Sequence, residues 1–416
     1  MTGWMLLTTP RIGKLRLSGA LARLSVVLVL LATVVKASDL GSLFWLQADM
    51  AAMLILIAAT IIYLPACLSS ARYWPAFWMG VAILALFVFA HVGFVRRSGM
   101  GYNFNAIFAY FPALTFLPFI RSRVTIDRTL YYLAWISAGY IVFFTLGYEW
   151  IIAAAKEVDS HILKMGDYQR GLRVMFAPAF AAYAFFFMWE WRRGNILFRS
   201  IVMAMSIWAI WLSDYRTFLA LFLLVCILRA FRSLNLLVRI GIFITIIVGY
   251  AILLAGLIIP QWEPFSYFMD DASGFARLLA YRHVSPFVTD NWLLGIGIAG
   301  SSADLQAYLR VPTYYSVYPT DLGPIGPLLI YGIGGLCIYI VLTACMIIAR
   351  LPMRSGARTP GRMALHLTSL VCAVQGLISP SFMLENNVLF PALLFSGWVQ
   401  LRQMRNRRRD YNAILG

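Results

Sequence analysis

The run LVRIGIFITIIVGYAILLAGLII, residues 237–259, holds one charge, Arg239, and then twenty consecutive uncharged residues. At a helical rise of about 1.5 Å per residue, such a stretch reaches about 30 Å, the thickness of a bilayer's hydrocarbon core. Apolar side chains fall on every side of that helix, which leaves no face for water and reads as a membrane span. Working outward, runs of the same kind recur at roughly 18–36, 44–67, 74–95, 104–120, 129–154, 172–190, 197–213, 216–232, 323–349, 363–380 and 386–402. Together they make about twelve spans and predict an all-α polytopic membrane protein, a single integral membrane domain over residues 1–416. Composition excludes a string of soluble domains: 62% apolar and 12% charged residues, against a usual ~45–50% and ~25%, are more apolar surface than such domains bury.

The formal charge of +17 would suit a nucleic-acid binder, yet the basic residues punctuate apolar spans and form no polar domain, so no nucleic acid is expected as a partner. They sort by side instead. With the N-terminus inside, 23 of the 34 basic residues but only 3 of the 17 acidic ones fall in cytoplasmic segments, so both termini are expected in the cytoplasm. Arg11, Lys14, Arg16 and Arg23 ahead of Leu24–Val35 resemble a signal peptide or first signal anchor, with an uncleaved first helix preferred. The five cysteines, Cys67, Cys226, Cys337, Cys345 and Cys372, sit inside apolar runs and show neither a disulfide framework nor a zinc spacing. His91 and His366 lie in spans and show no partner in the sequence.

Most connections are short, but two external segments are not: a small loop at 155–171 and a large one at 260–322, which is polar and rich in aromatics. Basic residues on the disfavoured side call for partners, and these are Arg96, Arg97, Arg170, Arg173, Arg216, Arg277, Arg282 and Arg310. Arg216 follows Ser213-Asp214-Tyr215 at the head of a span, where a helix start and a guanidinium together suit a phosphate; a turn capped by Ser213 or Asp214 is the alternative. Arg277 and Tyr281 are four apart in an amphipathic stretch that continues to Arg282 and His283, so they share one helix face. Surface packing accounts for His283. After them comes Asp290-Asn291-Trp292-Leu293-Leu294-Gly295-Ile296-Gly297, where two glycines suggest a close backbone approach.

In this order the features resemble the membrane O-antigen polymerase and O-antigen ligase superfamily, over about residues 200–340. Its pattern is a Ser-x-x-Arg-like turn, here Ser213-Asp214-Tyr215-Arg216, then a second arginine, here Arg277, ahead of an Asn-Pro-Leu-Leu-Gly-x-Gly-like string, here Asn291 to Gly297 with Trp292 in place of proline. The family closes with a histidine about eleven residues ahead of Gly-x-x-Gly; counting back from Gly332-Ile333-Gly334-Gly335 reaches Asp321, which departs from the pattern and tilts the reading from ligase to polymerase.

The resemblance implies a GT-C-like helical core in the bacterial inner membrane, with a periplasmic active site and neither cofactor nor metal. The expected reaction joins undecaprenyl-pyrophosphate-linked oligosaccharide repeats in O-antigen, capsule or exopolysaccharide synthesis, with a chain-length regulator as a further partner. Arg216 and Arg277 would bind the pyrophosphate, Asp321 would activate the acceptor, and Asp214, Tyr281, Arg282, His283, Arg170 and Arg173 are secondary candidates. Asp321 as the N-cap of the tenth span is the other reading. Alternatives are a ligase that uses lipid A-core as acceptor, a flippase for lipid-linked sugars, and a non-catalytic assembly subunit.

Overall fold

The computed structural model describes residues 19–38, 43, 48–68, 74–103, 124–157, 163–165, 172–174, 176–213, 215–231, 235–259, 272–312, 316–348, 351, 360–377 and 389–401. Apolar runs become helices almost throughout: α1 (Gly19–Ser38), α2 (Ala48–Leu68), α3 (Trp74–Ser98), α4 (Ile126–Leu146), α5 (Tyr148–Glu157), α6 (Pro178–Glu190), α7 (Ile196–Leu212), α8 (Arg216–Ala230) and α9 (Leu236–Ile258). Within the large loop are α10 (Ala272–Asp290), α11 (Ser302–Leu309) and a 3₁₀ turn at Pro319–Asp321, followed by α12 (Ile325–Ile348), α13 (Pro360–Gln375) and α14 (Leu389–Leu401). Among the described residues α4, α9 and α12 are long and apolar enough to cross a membrane, and α7 and α14 are shorter apolar helices. The chain is a helical membrane protein. The expected span at 104–120 lies outside the described residues.

Three expectations need correcting. The first is the start of the sixth span, where, within an otherwise helical fold, Leu163–Met165 (β1) and Leu172–Val174 (β2) pair antiparallel, Leu163 opposite Val174 and Lys164 opposite Arg173. Both strands have period-2 patterning too short to stand out beside the long apolar runs, and the helix expected from 172 begins only at Pro178. The span expected at 129–154 is two helices. Gly147, at φ −92° and ψ 5°, is the C-cap of α4, its N–H still donating to Phe143 O at 2.9 Å, and α5 starts at Tyr148, whose hydroxyl donates to Leu212 O at 3.2 Å. The tenth span is interrupted as well: Gly332 has φ 65°, ψ −159° in the middle of α12.

The core has two parts. In the larger, α6 is buried from Pro178 to Met188 and packs on α4, α7 and α13, while α13 in turn touches α4, α8 and α12. A helix with no exposed face has to be central. The smaller core collects Leu278, Tyr281 and Val284 of α10, Leu305 and Leu309 of α11, Leu322 after the 3₁₀ turn, and Ile325, Leu328 and Leu329 of α12.

One end of the bundle is tied together by arginines. Arg229 (α8) pairs with Glu190 (α6) at 2.5 Å, and Arg362 (α13) grips both carboxylate oxygens of Asp127 (α4) at 2.7 Å. Arg239, almost wholly buried, donates to the carbonyls of Ile347 and Ile348, which are otherwise unsatisfied at the end of α12. Arg199 does the same for Met188 and Trp189 at the end of α6.

Candidate functional site at the loop end of the bundle

At the opposite end, the described part of the large loop forms a packed layer. Ser301 caps α11, accepting from the Asp304 N–H at 3.1 Å. On α10, Leu278, Tyr281, Val284 and Val288 face the smaller core, so Arg277 and Tyr281 do share the buried side of one helix, as their spacing implied. Tyr281 is buried. Arg277 is half-buried, and its Nε is enclosed with no hydrogen-bond partner among the described residues. An enclosed, unmatched guanidinium nitrogen costs free energy until an acceptor reaches it. Arg282 is exposed, and His283 Nε2 lies 2.6 Å from Leu309 O, so this histidine fastens α10 to α11 as packing would have it.

Asp321 closes the 3₁₀ turn, with its N–H donating to Tyr318 O at 2.9 Å, and it is exposed. It is not the N-cap of α12: Gly323, at φ 55°, and Pro324 stand between it and that helix. Its neighbour Leu322 and Arg277's neighbour Leu278 belong to the same small core, so the fold puts these two candidates on one packed unit.

Arg216 is carried by the other core. It is the exposed first residue of α8, whose Phe218, Phe222 and Val225 join the larger core through α13 and α7. Ser213 is no cap for it, because its hydroxyl donates backward to Ile210 O at 2.8 Å, and Tyr215 holds the N-cap position without a side-chain capping bond to the helix. The two cores meet at Gly323, where a Cβ would collide with Leu377 O just beyond α13. Asp214 and Arg170 lie outside the described residues, and Arg173 takes its place opposite Lys164 in the strand register.

The glycine string is where sequence reasoning came closest without seeing the arrangement. Residues 291–300 run as a strap across the break in α12. A continuous helix would have bonded the carbonyls of Leu329 and Ile330 to N–H groups one turn later; at the break Ile296 N–H takes Leu329 O at 2.7 Å and Gly297 N–H takes Ile330 O at 2.9 Å. In return Ile333 N–H finds Trp292 O at 2.8 Å. Backbone polar groups in a bilayer protein must be satisfied within the protein, and the strap does this for the break. Both glycines are required by what they touch: Gly295 has φ 69° with its missing Cβ against Ile330 O, and Gly297 has φ 95° against Ala90 O of α3.

The far side of the strap is held by α3 and the residues after it. Arg97 Nη1 donates to Asn291 Oδ1 at 3.2 Å and also to Gly295 O. Asn291 Nδ2 donates to Phe287 O at 2.9 Å, which closes the end of α10. His91, fully buried, has Ile298 O 2.9 Å from Nδ1 and receives the Asn103 N–H at Nε2, 3.2 Å away. A carbonyl on one nitrogen and an N–H on the other require that Nδ1 donates and Nε2 accepts. His91 therefore does have partners, among them Ile298, far along the chain, and Asn103 just beyond α3. Asn103 Nδ2 adds a bond to Gly300 O at 3.2 Å, and Ile298 N–H one to Ala90 O at 3.1 Å. Arg97's position on the disfavoured side and the two glycines of the string were the advance signs of this network.

Compared with models of protein families, with curated proteins and with solved structures, the chain gives no match.

Proposed function

We propose that the chain is a metal-independent membrane glycosyltransferase that polymerises undecaprenyl-pyrophosphate-linked oligosaccharide repeats. In this reading twelve spans form a GT-C-like bundle in the bacterial inner membrane, both termini are cytoplasmic, and the loop end faces the periplasm. The observation that carries it is Arg277, whose enclosed Nε has no hydrogen-bond partner among the described residues, whereas Arg229 and Arg362 at the other end are matched to carboxylates and Arg239 to carbonyls. A pyrophosphate is an acceptor suited to that nitrogen. Its lipid would stay in the bilayer while charge grows on the departing phosphate during transfer, and a fixed guanidinium stabilises that charge. Arg216, at the start of α8, adds a second cation beside outward-facing helix N–H groups. Asp321, exposed at the turn below, is the carboxylate available to take a proton from an acceptor hydroxyl.

Purified protein incubated with lipid-linked repeats alone should yield a ladder of products. Product only on adding lipid A-core acceptor would make it a ligase. Movement of labelled lipid-linked sugar across proteoliposomes without extension would make it a flippase and end the glycosyltransferase reading. Orientation is tested separately in a cysteine-replaced background: a probe at Ser302 should label from the periplasm, and one at Ser355 only after the membrane is opened.

A further inference from the structure

The strap is also a joint between two arms. α10, with Arg277, ends at Asp290 immediately before it; the 3₁₀ turn with Asp321 leads straight into the first half of α12, which the strap grips at Leu329 and Ile330. Whatever fixes the strap therefore fixes the relation of one arm to the other. It lies between two backbones, that of α12 at Gly295 and that of α3 at Gly297, with no room for side chains at either crossing. On the α3 side the fastening combines the Ile298 N–H bond to Ala90 O and the Asn103 side chain at Gly300 with two side chains of α3 itself, Arg97 across the start of the strap and His91 across its end. Neither touches Arg277 or Asp321 through any hydrogen bond described for them.

We propose that Arg97 and His91 are positioning residues, a latch on α3 that holds the Asn291–Gly300 strap in the break of α12 and so sets the spacing between the arm bearing Arg277 and the arm bearing Asp321. Their functional meaning rests on the reading of Arg277 and Asp321 as the reacting site; the latch itself does not. The chemistry of each residue specifies what can replace it. A single nitrogen of Arg97 serves both oxygens, so the one amino group of lysine can do the same, unlike at a pyrophosphate clamp where the two-pronged guanidinium matters. His91 supplies one donor and one acceptor without charge, which glutamine can imitate and leucine cannot.

The test is a distance measurement by pulsed electron spin resonance, with the protein in lipid nanodiscs and its native cysteines replaced. Spin labels go on Phe275→Cys of α10 and Tyr318→Cys ahead of the turn, both exposed positions, with a control pair on Leu197→Cys and Leu237→Cys at the arginine-tied end. His91→Leu and Arg97→Gln should shift and broaden the 275–318 distance and leave the control pair unchanged, while His91→Gln and Arg97→Lys should restore the native distribution. A native distribution in both His91→Leu and Arg97→Gln would overturn the latch, and so would failure of both conservative replacements to restore it. Should the buried His91→Leu disturb the control pair as well, the exposed Arg97 pair of variants decides alone. The readout needs no substrate, so it stands or falls apart from the glycosyltransferase reading, which the ladder assay decides.

Discussion

The two ends of this bundle use the same residue in opposite ways. At one end Arg229 and Arg362 are bound to carboxylates, and Arg239 and Arg199 close the carbonyl ends of helices. At the other, Arg97 meets only neutral oxygens and Arg277 keeps an enclosed nitrogen without a hydrogen-bond partner among the described residues. Arg229 and Arg362 at the first end meet carboxylates within the fold; at the second, no carboxylate is bonded to Arg97 or to the Nε of Arg277 among the described residues. Stability and activity should accordingly separate between the ends.

The largest effect should come from Glu190→Ala, which strands Arg229 in a site where the two side chains are 17% and 9% exposed. Breaking a buried pair from one side typically costs about 3–5 kcal/mol, read as a fall in unfolding midpoint in detergent. Next, Arg277→Ala should slow polymer formation about 100–1,000-fold, about 2.7–4 kcal/mol in the barrier, and leave stability unchanged or raised because it removes an unmatched buried nitrogen. Arg277→Lys should do little better. If Arg277→Ala lost as much stability as Glu190→Ala, or made normal polymer at normal abundance, the contrast between the ends would be gone. Asp127→Asn sharpens the comparison within the tied end: Asp127 is 37% exposed, so its loss should cost only about 1 kcal/mol in the same unfolding assay. Smallest, and of opposite sign, Arg310→Gly should stabilise by up to about 1 kcal/mol, since Arg310 ends α11 at φ 54°, a conformation that costs residues other than glycine.

Sequence alone located most helices because a bilayer demands long uncharged runs, and such runs are visible without any partner. It also put Arg277 and Tyr281 on one face, since helix periodicity is local. What it missed is tertiary. The interruption at Gly332 could not be seen, because a glycine inside an apolar run is ordinary until a second segment arrives to take its backbone bonds. His91 looked idle because its partners are Ile298 and Asn103, and Arg229 gave no sign of Glu190 across an intervening helix. Asp321 was read as a possible cap because the start of α12 was placed two residues early, before Pro324.

The burial of α6 has a consequence for how the molecule is made. Thirteen residues give a helix of about 20 Å, short of the ~30 Å hydrocarbon core, and α4, α7 and α13 pack around it together with Phe222 of α8 and Phe390 of α14. α4 is already synthesised when α6 emerges and α7 follows directly, but α13 begins at Pro360, after the whole large loop, and α14 comes later still. A growing chain thus carries the centre of its own structure with one wall missing through synthesis of α8 to α12, and assembly of that centre is an event of late translation.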